Sequence, residues 1–242
     1  MLLWPFCSVF PGRNPDRGNT ELCNDRGRGF DTIVTTDDRQ TFVFKNNKYW
    51  RLTDDSIAPG YPRTISSDWR GLSRNLNAAF TWTNGKTYFF KKSMYWRFSN
   101  QTMDEGYPKR ISSGFEGIPD DIDAAFVWSG NAKIYFFKGS NYWRFDPDQS
   151  PPVKSSYPRP ISNWNGIPDN INAAMLYKNG FTYFFKENNY WRFNDRAFSV
   201  QFYFSFNIFK IQIFLFRLMT VIQLILETRH LGGLGAPSDL NL

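Results

Sequence analysis

Residues 77–98 read NAAFTWTNGKTYFFKKSMYWRF. The Asn84-Gly85 pair, flanked by two apolar segments, is the strongest short-range signal for a β-hairpin. The Phe, Tyr and Trp residues around it favour strands, and their spacing is not that of a helix. The stretch therefore predicts a small antiparallel sheet.

The Tyr-Trp-Arg triplet in this stretch occurs four times, with its tryptophans at Trp50, Trp96, Trp143 and Trp191. Subtracting these numbers gives steps of 46, 47 and 48 residues. An aromatic run ending in lysine precedes each triplet, and Tyr-Pro, Ile-Ser and an aromatic-x-Gly turn follow the first three. Several patterns recurring in phase indicate an internal repeat.

A repeat of about 45 residues with up to four strands has the size of a propeller blade. Bulky aromatic residues would fill the space between blades, and the Ala-Ala pairs suit first strands that crowd at an axis. An open array would leave exposed sheet edges. We predict an all-β four-bladed propeller, with short helical turns at the Ile-Ser segments and blades at about 28–75, 76–121, 122–170 and 171–200.

The composition excludes other classes of protein. Aromatic residues make up 19% of the 242 residues, which excludes a disordered chain, and two cysteines cannot support a disulfide scaffold. The net charge of +7 favours polyanions at long range, but the longest basic runs are the pairs Lys91-Lys92 and Lys109-Arg110. We interpret the charge as a mixed solvated surface and predict no nucleic-acid partner.

The sequence lacks the residues for catalysis. His230 is the one histidine, so a His-Glu-x-x-His zinc site cannot form, and axial ligation of haem is disfavoured. Cys7 and Cys23 have no setting for a nucleophile, and the Asp120-Asp121 pair is interpreted as solvated acids. We predict that this chain is not an enzyme.

These patterns together resemble the hemopexin-like repeat, and residues 22–200 are most similar to the C-terminal hemopexin-like domain of secreted matrix metalloproteinases. The run 151–158, PPVKSSYP, resembles arthropod members. The resemblance implies a disc around a central channel, in a protein secreted to the extracellular matrix. It also implies a zinc endopeptidase parent, with zinc confined to a catalytic domain that this chain lacks.

The resemblance further implies a calcium ion in the channel, sometimes with sodium or chloride, held by main-chain carbonyls. By position, the carbonyls would be those of Asp31, Ile33, Asn77, Ala79, Asp123, Ala125, Asn172 and Ala174. A hard cation prefers such oxygen ligands. The alternative, which does not exclude the first, is that the Asp and Asn side chains bond to neighbouring backbone.

Recognition is the function that the resemblance implies. The expected partners are collagen and other matrix proteins, tissue inhibitors of metalloproteinases, and a second copy of the chain. Trp69, Trp164, Arg70 and Arg110 are candidate contact residues, with core packing as the alternative for the two tryptophans. The alternative function is a non-enzymatic adhesion protein of the vitronectin kind.

Other features concern the ends of the chain and its modification. Residues 1–22 are interpreted as a leader or linker, and the propeller is assigned to 23–200. By the resemblance, Cys23 is the first half of a disulfide that closes the ring, and its partner is missing. Asn100 begins a glycosylation sequon.

Residues 201–242 depart from the repeat, and we interpret them as non-native coding sequence. This interpretation predicts a fourth blade without its outer strand. The alternative is a membrane-spanning helix over 201–226, which the charges of Lys210 and Arg217 disfavour.

Overall fold

The predicted hairpin at Asn84-Gly85 is present. The structure, a computed structural model, describes residues 22, 29–54, 56–187 and 189–205, without the side chains of 204 and 205. Gly85 adopts a φ of 75°, a left-handed conformation that glycine tolerates, and the Lys86 N–H donates to Asn84 Oδ1 at 3.0 Å. The turn therefore sets the pairing of the two strands that flank it.

Within the described residues the strands form four antiparallel sheets, one for each repeat. Each sheet begins with an inner strand and continues outward in chain order. The first sheet contains β1 (Thr32–Thr35), β2 (Thr41–Lys45), β3 (Lys48–Leu52) and β4 (Arg63–Thr64). The second contains β5 (Ala78–Thr81), β6 (Lys86–Lys91), β7 (Met94–Ser99), β8 (Thr102–Met103) and β9 (Lys109–Arg110).

The third and fourth sheets follow the same plan. The third contains β10 (Ala124–Val127), β11 (Ile134–Lys138), β12 (Asn141–Phe145) and β13 (Arg159–Pro160). The fourth contains β14 (Ala173–Leu176), β15 (Thr182–Lys186), β16 (Asn189–Asn194) and β17 (Ser199–Ser205). The inner strands β1, β5, β10 and β14 contact one another in ring order, and β14 also contacts β1. The sheets are thus the blades of the predicted four-bladed propeller.

The predicted short helical turns are also present. They are α1 (Ile65–Asp68), α2 (Ile111–Gly114) and a 3-10 turn over Ile161–Asn163. Across the ranges described, no helix has the length and apolar character needed to cross a membrane.

One buried aromatic residue fills each of the first three junctions between blades. Trp69 lies between blades one and two, Phe115 between two and three, and Trp164 between three and four. Trp69 contacts Phe44 of one blade and Phe89 of the next, with ring centroids 5.4 and 5.2 Å away. Each aromatic-x-Gly turn therefore supplies the residue that fills the gap between two blades.

Blade four requires a correction of the predicted boundary. Its outer position is occupied by β17, so the sheet extends to residue 205 instead of ending at 200. Phe202 and Tyr203 pack near Tyr190 and Trp191, with centroid distances of 6.4 and 5.0 Å. A strand needs backbone hydrogen bonds and packing, and this segment supplies both although it lacks the Tyr-Pro and Ile-Ser landmarks.

Several other predictions fall on residues outside the described ranges. These are the leader over 1–21, the roles of Cys7, Cys23 and His230, and the tail beyond residue 205.

Candidate functional site

The Asp and Asn residues that precede the inner strands share one structural role. Asp31 Oδ2 accepts a hydrogen bond from the Asn46 N–H at 2.8 Å, and Asn77 Oδ1 accepts one from the Lys92 N–H at 2.8 Å. The same bond joins Asp123 to Gly139 at 2.7 Å and Asn172 to Glu187 at 2.6 Å. The side-chain role left open by the sequence is therefore present in all four blades.

The residues that donate these bonds lie in the turn between the second and third strands of each blade. All four have positive φ angles, at 57° for Asn46, 52° for Lys92, 60° for Gly139 and 54° for Glu187. The Asp or Asn oxygen satisfies the N–H group of a residue held in this uncommon conformation. An amide and a carboxylate serve equally, because both present an acceptor oxygen.

The two aspartates at this end of the axis have altered acidity. Burial raises the pKa of Asp31 above its ordinary value, although hydrogen bonds from the Asn46 and Leu76 N–H groups oppose the rise. Burial also raises the pKa of Asp123, opposed by the Gly139 N–H. Burial is the largest cause in both cases because it disfavours the charged form.

Main-chain groups of the inner strands face away from their own blades. In blade one the Thr36 N–H donates to the Gln40 carbonyl at 2.9 Å, and Ile33 lies opposite Val43. Because hydrogen-bonded and non-hydrogen-bonded pairs alternate in an antiparallel ladder, the N–H and C=O of Ile33 point to the free edge of β1. Equivalent bonds place the groups of Ala79, Ala125 and Ala174 on the free edges of their strands.

These free edges adjoin one another because the inner strands contact in a ring. The structure thus brings all eight residues of the predicted calcium site to the same end of the four inner strands. The Asp and Asn side-chain oxygens already accept turn N–H groups, whereas the carbonyls on the free edges have no partner in their own ladder. Converging main-chain oxygens suit a hard cation such as calcium.

The other end of the axis opens into a cavity. Its volume is about 350 Å³, and all four blades line it. The lining combines hydroxyl groups of Thr35 and Thr81 with the rings of Trp82 and Trp128 and the side chain of Met175. Ile33, Ala79 and Ala174 also line the cavity, so it reaches the free edges of the inner strands.

The tyrosine of each Tyr-Pro pair lies beneath cationic side chains at the outer edge of its blade. The Tyr107 ring centroid is 4.7 Å from Arg97 Cζ and 4.9 Å from Lys109 Nζ. Tyr61 is similarly placed, with Arg63 Cζ 5.2 Å from its centroid, and Arg159 Cζ lies 5.1 Å from that of Tyr157. The sequence interpretation missed this arrangement, although the recurring Tyr-Pro-[Arg/Lys] pattern signals it.

The candidate contact residues divide into two groups. Trp69 and Trp164 are 0% and 1% exposed, so both belong to the core, as the alternative interpretation had it. Arg70 and Arg110 are exposed. The sequon residue Asn100 is exposed in the turn between β7 and β8, with a φ of 51°. The side chains of Arg70, Arg110 and Asn100 are accordingly accessible on blade two and its junction with blade one.

Known proteins resemble this chain both in its repeats and in its fold. The Hemopexin family model matches residues 30–74, 76–120, 122–169 and 171–205, which follow the four blades. Among solved structures, a hemopexin-fold protein from cow pea is 21% identical with a TM-score of 0.61, covering 73% of this chain and 92% of that one. A seed albumin from Lathyrus sativus is 21% identical with a TM-score of 0.59, covering 68% and 85%.

Curated relatives match over shorter segments. Human vitronectin is 39% identical over 77 residues, which are 32% of this chain and 16% of vitronectin. Matrix metalloproteinase-16 of Rattus norvegicus is 36% identical over 76 residues, which are 31% of this chain and 11% of that protein. The match thus spans a small part of these relatives. Because the family model covers more than half of the sequence and repeats in register with the blades, the chain belongs to the hemopexin family.

Proposed function

We propose that this chain is a recognition module of the extracellular matrix, and that it docks collagen-type matrix proteins and tissue inhibitors of metalloproteinases. The observation that carries the proposal is the four-bladed hemopexin propeller with cation-covered tyrosines along its outer edges. Arg and Tyr side chains are favoured anchors in protein interfaces. A second copy of the chain is a further candidate partner.

The parent of such a module would be a zinc metalloendopeptidase of the matrix metalloproteinase type. Support comes from the similarity to matrix metalloproteinase-16 and to horse stromelysin-1, which is 40% identical over 50 residues. In that setting this chain would select substrate and the catalytic domain would cleave it. The arthropod-type character inferred from residues 151–158 is part of this proposal.

A non-enzymatic adhesion protein is the second candidate. It is favoured by vitronectin, whose match is as long and as similar as that of the metalloproteinase. Both candidates place the protein outside the cell, and both use the propeller for binding. They differ in whether a catalytic domain accompanies it.

We also propose that calcium binds on the axis, with sodium or chloride as further channel ions. The arrangement that supports calcium is the ring of main-chain groups at Ile33, Ala79, Ala125 and Ala174. Their neighbours Asp31, Asn77, Asp123 and Asn172 would add carbonyls at the same end. Calcium should stabilise the folded chain by mass action, by about 2.7 kcal/mol at a hundredfold excess over Kd, and so raise the thermal midpoint. Magnesium, which demands stricter octahedral geometry, should raise it less.

A binding assay on the full chain tests the proposed function. The purified protein is passed over immobilised fibrillar collagen, a tissue inhibitor of metalloproteinases and serum albumin, first with 2 mM calcium and then with EDTA. Saturable binding to collagen or to the inhibitor, with none to albumin, is the expected result. Binding to neither would refute the proposal.

Two variants locate the binding surface. Tyr107→Ala removes the ring beneath Arg97 and Lys109. As a control, Tyr177→Ala removes a half-buried tyrosine that directly follows the inner strand β14, away from the outer edges, although Lys178 Nζ lies 5.7 Å from its ring. The first should weaken binding and the second should not. Equal affinity of the Tyr107 variant and the unaltered chain would place the interface elsewhere.

Secretion is tested through Asn100. Expressed in a eukaryotic secretory system, the chain should carry a glycan that an N-glycosidase removes, and Asn100→Gln should abolish the mobility shift. Recovery of the secreted protein from the medium with no glycan attached would contradict use of the sequon.

A further inference from the structure

The cavity on the propeller axis, which we call the axial cavity, is lined by the last residue of every inner strand. These residues are Thr35, Thr81, Val127 and Leu176 in blades one to four. Their positions are equivalent, because each forms the final pair in the ladder between the first and second strands of its blade. Blades one and two therefore present hydroxyl groups to the cavity, where blades three and four present hydrocarbon.

The two hydroxyl groups retain hydrogen-bonding capacity. Thr35 Oγ1 lies 2.9 Å from Thr41 Oγ1, and Thr81 Oγ1 lies 2.8 Å from Thr87 Oγ1. In such a pair one hydroxyl donates and the other accepts, and either atom fits either role. A hydroxyl has one donor and two acceptor positions, so each lining threonine keeps at least one of them for a ligand. This side of the cavity can pair with a hydroxyl or a carbonyl group.

Two tryptophans form rigid walls of the cavity. Trp82 and Trp128 directly follow the inner strands of blades two and three, and both remain partly exposed. The Trp82 ring packs against Tyr88, with centroids 6.1 Å apart, and the Trp128 ring packs against Tyr135, with centroids 5.7 Å apart. A ligand in contact with these rings would not have to order them, which lowers the entropic cost of binding.

The lining of the axial cavity is uncharged. Across the part of the chain that the structure describes, no lining residue is an Asp, Glu, Lys, Arg or His. An unpaired charge is costly to bury, so a ligand that fills the cavity should itself be uncharged. A sugar suits the lining poorly, because many of its hydroxyl groups would lose water beside hydrocarbon side chains. The volume of about 350 Å³ is enough for a small ligand.

We propose that the axial cavity binds a small, uncharged ring compound of low polarity, with a single hydroxyl or carbonyl group directed toward blades one and two. Its hydrocarbon part would lie against Val127, Leu176 and the two tryptophan rings, and its polar group would contact Thr35 and Thr81. The site is separate from the outer blade edges that carry the proposed protein partners. The inference therefore goes beyond the proposed function and does not depend on it.

The first test removes one wall of the cavity. Trp82→Leu is compared with the control Trp143→Leu, because both tryptophans are partly exposed and pack against the core between blades two and three. Trp82 lines the cavity and Trp143 does not.

Binding of N-phenyl-1-naphthylamine, an uncharged fluorescent compound, is titrated against the full chain and both variants in EDTA, so that the proposed channel calcium takes no part. We expect Trp82→Leu to bind the probe about tenfold more weakly and the control to change less than about twofold. Equal affinity of all three chains, or equal losses in both variants, would overturn the proposal.

A second variant fills the cavity from blade four. Leu176→Trp places a larger side chain into existing space, so the fold should be retained and the probe excluded. If the thermal midpoint shows that Trp82→Leu is unfolded, this variant replaces it. Undiminished probe binding to folded Leu176→Trp would overturn the proposal. Exposed Phe202 on the outer strand of blade four offers another place for an aromatic probe. Phe202→Ser should leave binding unchanged, and loss of binding in this variant alone would also overturn the proposal.

Two further comparisons test the chemistry of the ligand. We expect 1-naphthol to displace the probe better than naphthalene does, and Thr81→Val to remove most of this preference, by about threefold. Val127 at the equivalent position shows that the sheet accepts valine. The control Thr182→Val removes a buried hydroxyl that does not line the cavity, and it should keep the preference. No preference in the unaltered chain, or the same preference in both variants, would refute the assigned polar contact.

The charge of the ligand is tested with 8-anilinonaphthalene-1-sulfonate, which has the same rings as the probe and an added sulfonate. It should displace the probe at least about tenfold less well, although the net charge of +7 favours an anion at long range. Equal or better displacement that is lost in Trp82→Leu would show that the cavity accepts an anion and would overturn the proposal.

Discussion

Gly29 lies so close to the main-chain carbonyl of Glu187 that a Cβ at position 29 would collide with it. Glu187 is in the turn of blade four, and Gly29 comes two residues before Asp31 at the entry to blade one. At the other three junctions the residue in the place of Gly29 donates its N–H to the turn carbonyl of the preceding blade. These bonds join Asn75 to Asn46, Asp121 to Lys92 and Asn170 to Gly139, at 2.8, 2.8 and 2.9 Å.

This contact should be important for closing the ring. The same junction is joined by the Phe30 and Phe185 rings, with centroids 5.0 Å apart, and by the Lys178–Asp54 ion pair. Gly29→Val would force the two blades apart and should destabilise the protein by about 1–3 kcal/mol, as overpacking does. Urea unfolding measures the effect. Glu187→Ala, which keeps the carbonyl, is the control and should have little effect; equal stability of the Gly29 variant and the unaltered chain would contradict the role.

The side-chain bond from Asn77 to the Lys92 N–H should stabilise blade two. Asn77→Ala leaves that N–H without its acceptor and should cost about 1–2 kcal/mol. Asn77→Asp keeps an acceptor oxygen, as Asp31 and Asp123 do in their blades, and should stay closer to the original stability. Thermal unfolding of the two variants separates these outcomes, and similar losses in both would rule out the hydrogen bond as the cause.

Among single substitutions, truncation of the Trp164 side chain should reduce the free energy of unfolding the most. It contacts Phe137 and Phe184 in adjacent blades, with centroids 5.8 and 5.7 Å away. Trp164→Ala should cost about 3–5 kcal/mol because it leaves a large cavity. Trp164→Phe should retain much of the stability, since Phe115 fills the equivalent junction between blades two and three. The idea fails if chemical denaturation finds Phe and Ala equally damaging.

Asp104 should make stability depend on pH in the acid range. Burial raises its pKa, but hydrogen bonds from Ser99 Oγ and Arg97 Nε, both 2.6 Å, outweigh burial and hold the pKa below its ordinary value. The unfolded chain, with an Asp pKa of about 3.9, then binds more protons than the folded chain as the pH falls. This contribution to the free energy of unfolding is present above about pH 4 and is lost as the pH falls through the folded pKa.

Asp104→Asn should therefore reduce the difference in urea midpoint between pH 6 and pH 3. Glu105→Gln is the matched control, because Glu105 is the exposed neighbour and forms no ion pair within the described ranges. It should leave the difference unchanged. An Asp104 variant with the original pH dependence would exclude this carboxylate as its source.

Much of the fold could be predicted from the sequence because each blade repeats the same residue pattern. The phase of the Tyr-Trp-Arg triplets and the Asn84-Gly85 turn correctly predicted the blades, and the Ile-Ser segments correctly predicted the short helical turns. The outer strand over Ser199–Ser205 was missed, because a strand at a sheet edge is defined by backbone pairing that no side-chain landmark marks.

Less of the site could be derived in this way. Its eight predicted calcium-site residues came from a resemblance, and calcium binding there remains a prediction. Asp31 and Asn77 each accept a hydrogen bond from the backbone N–H of a residue fifteen positions later in the chain. Their role in supporting turns is therefore visible only in the structure. The two tryptophans Trp69 and Trp164 could have been contact residues or core, and only packing between blades made them core.

By itself the sequence determined the number of blades, the position of each hairpin and the absence of a His-Glu-x-x-His site, because these depend on local pattern and composition. The tertiary structure decided which main-chain groups face the axis, how Gly29 meets Glu187, and that Trp69 and Trp164 fill junctions between blades. These relationships arise when residues distant in the chain are brought together, and their hydrogen bonds, contacts and charges exist only once the ring has closed.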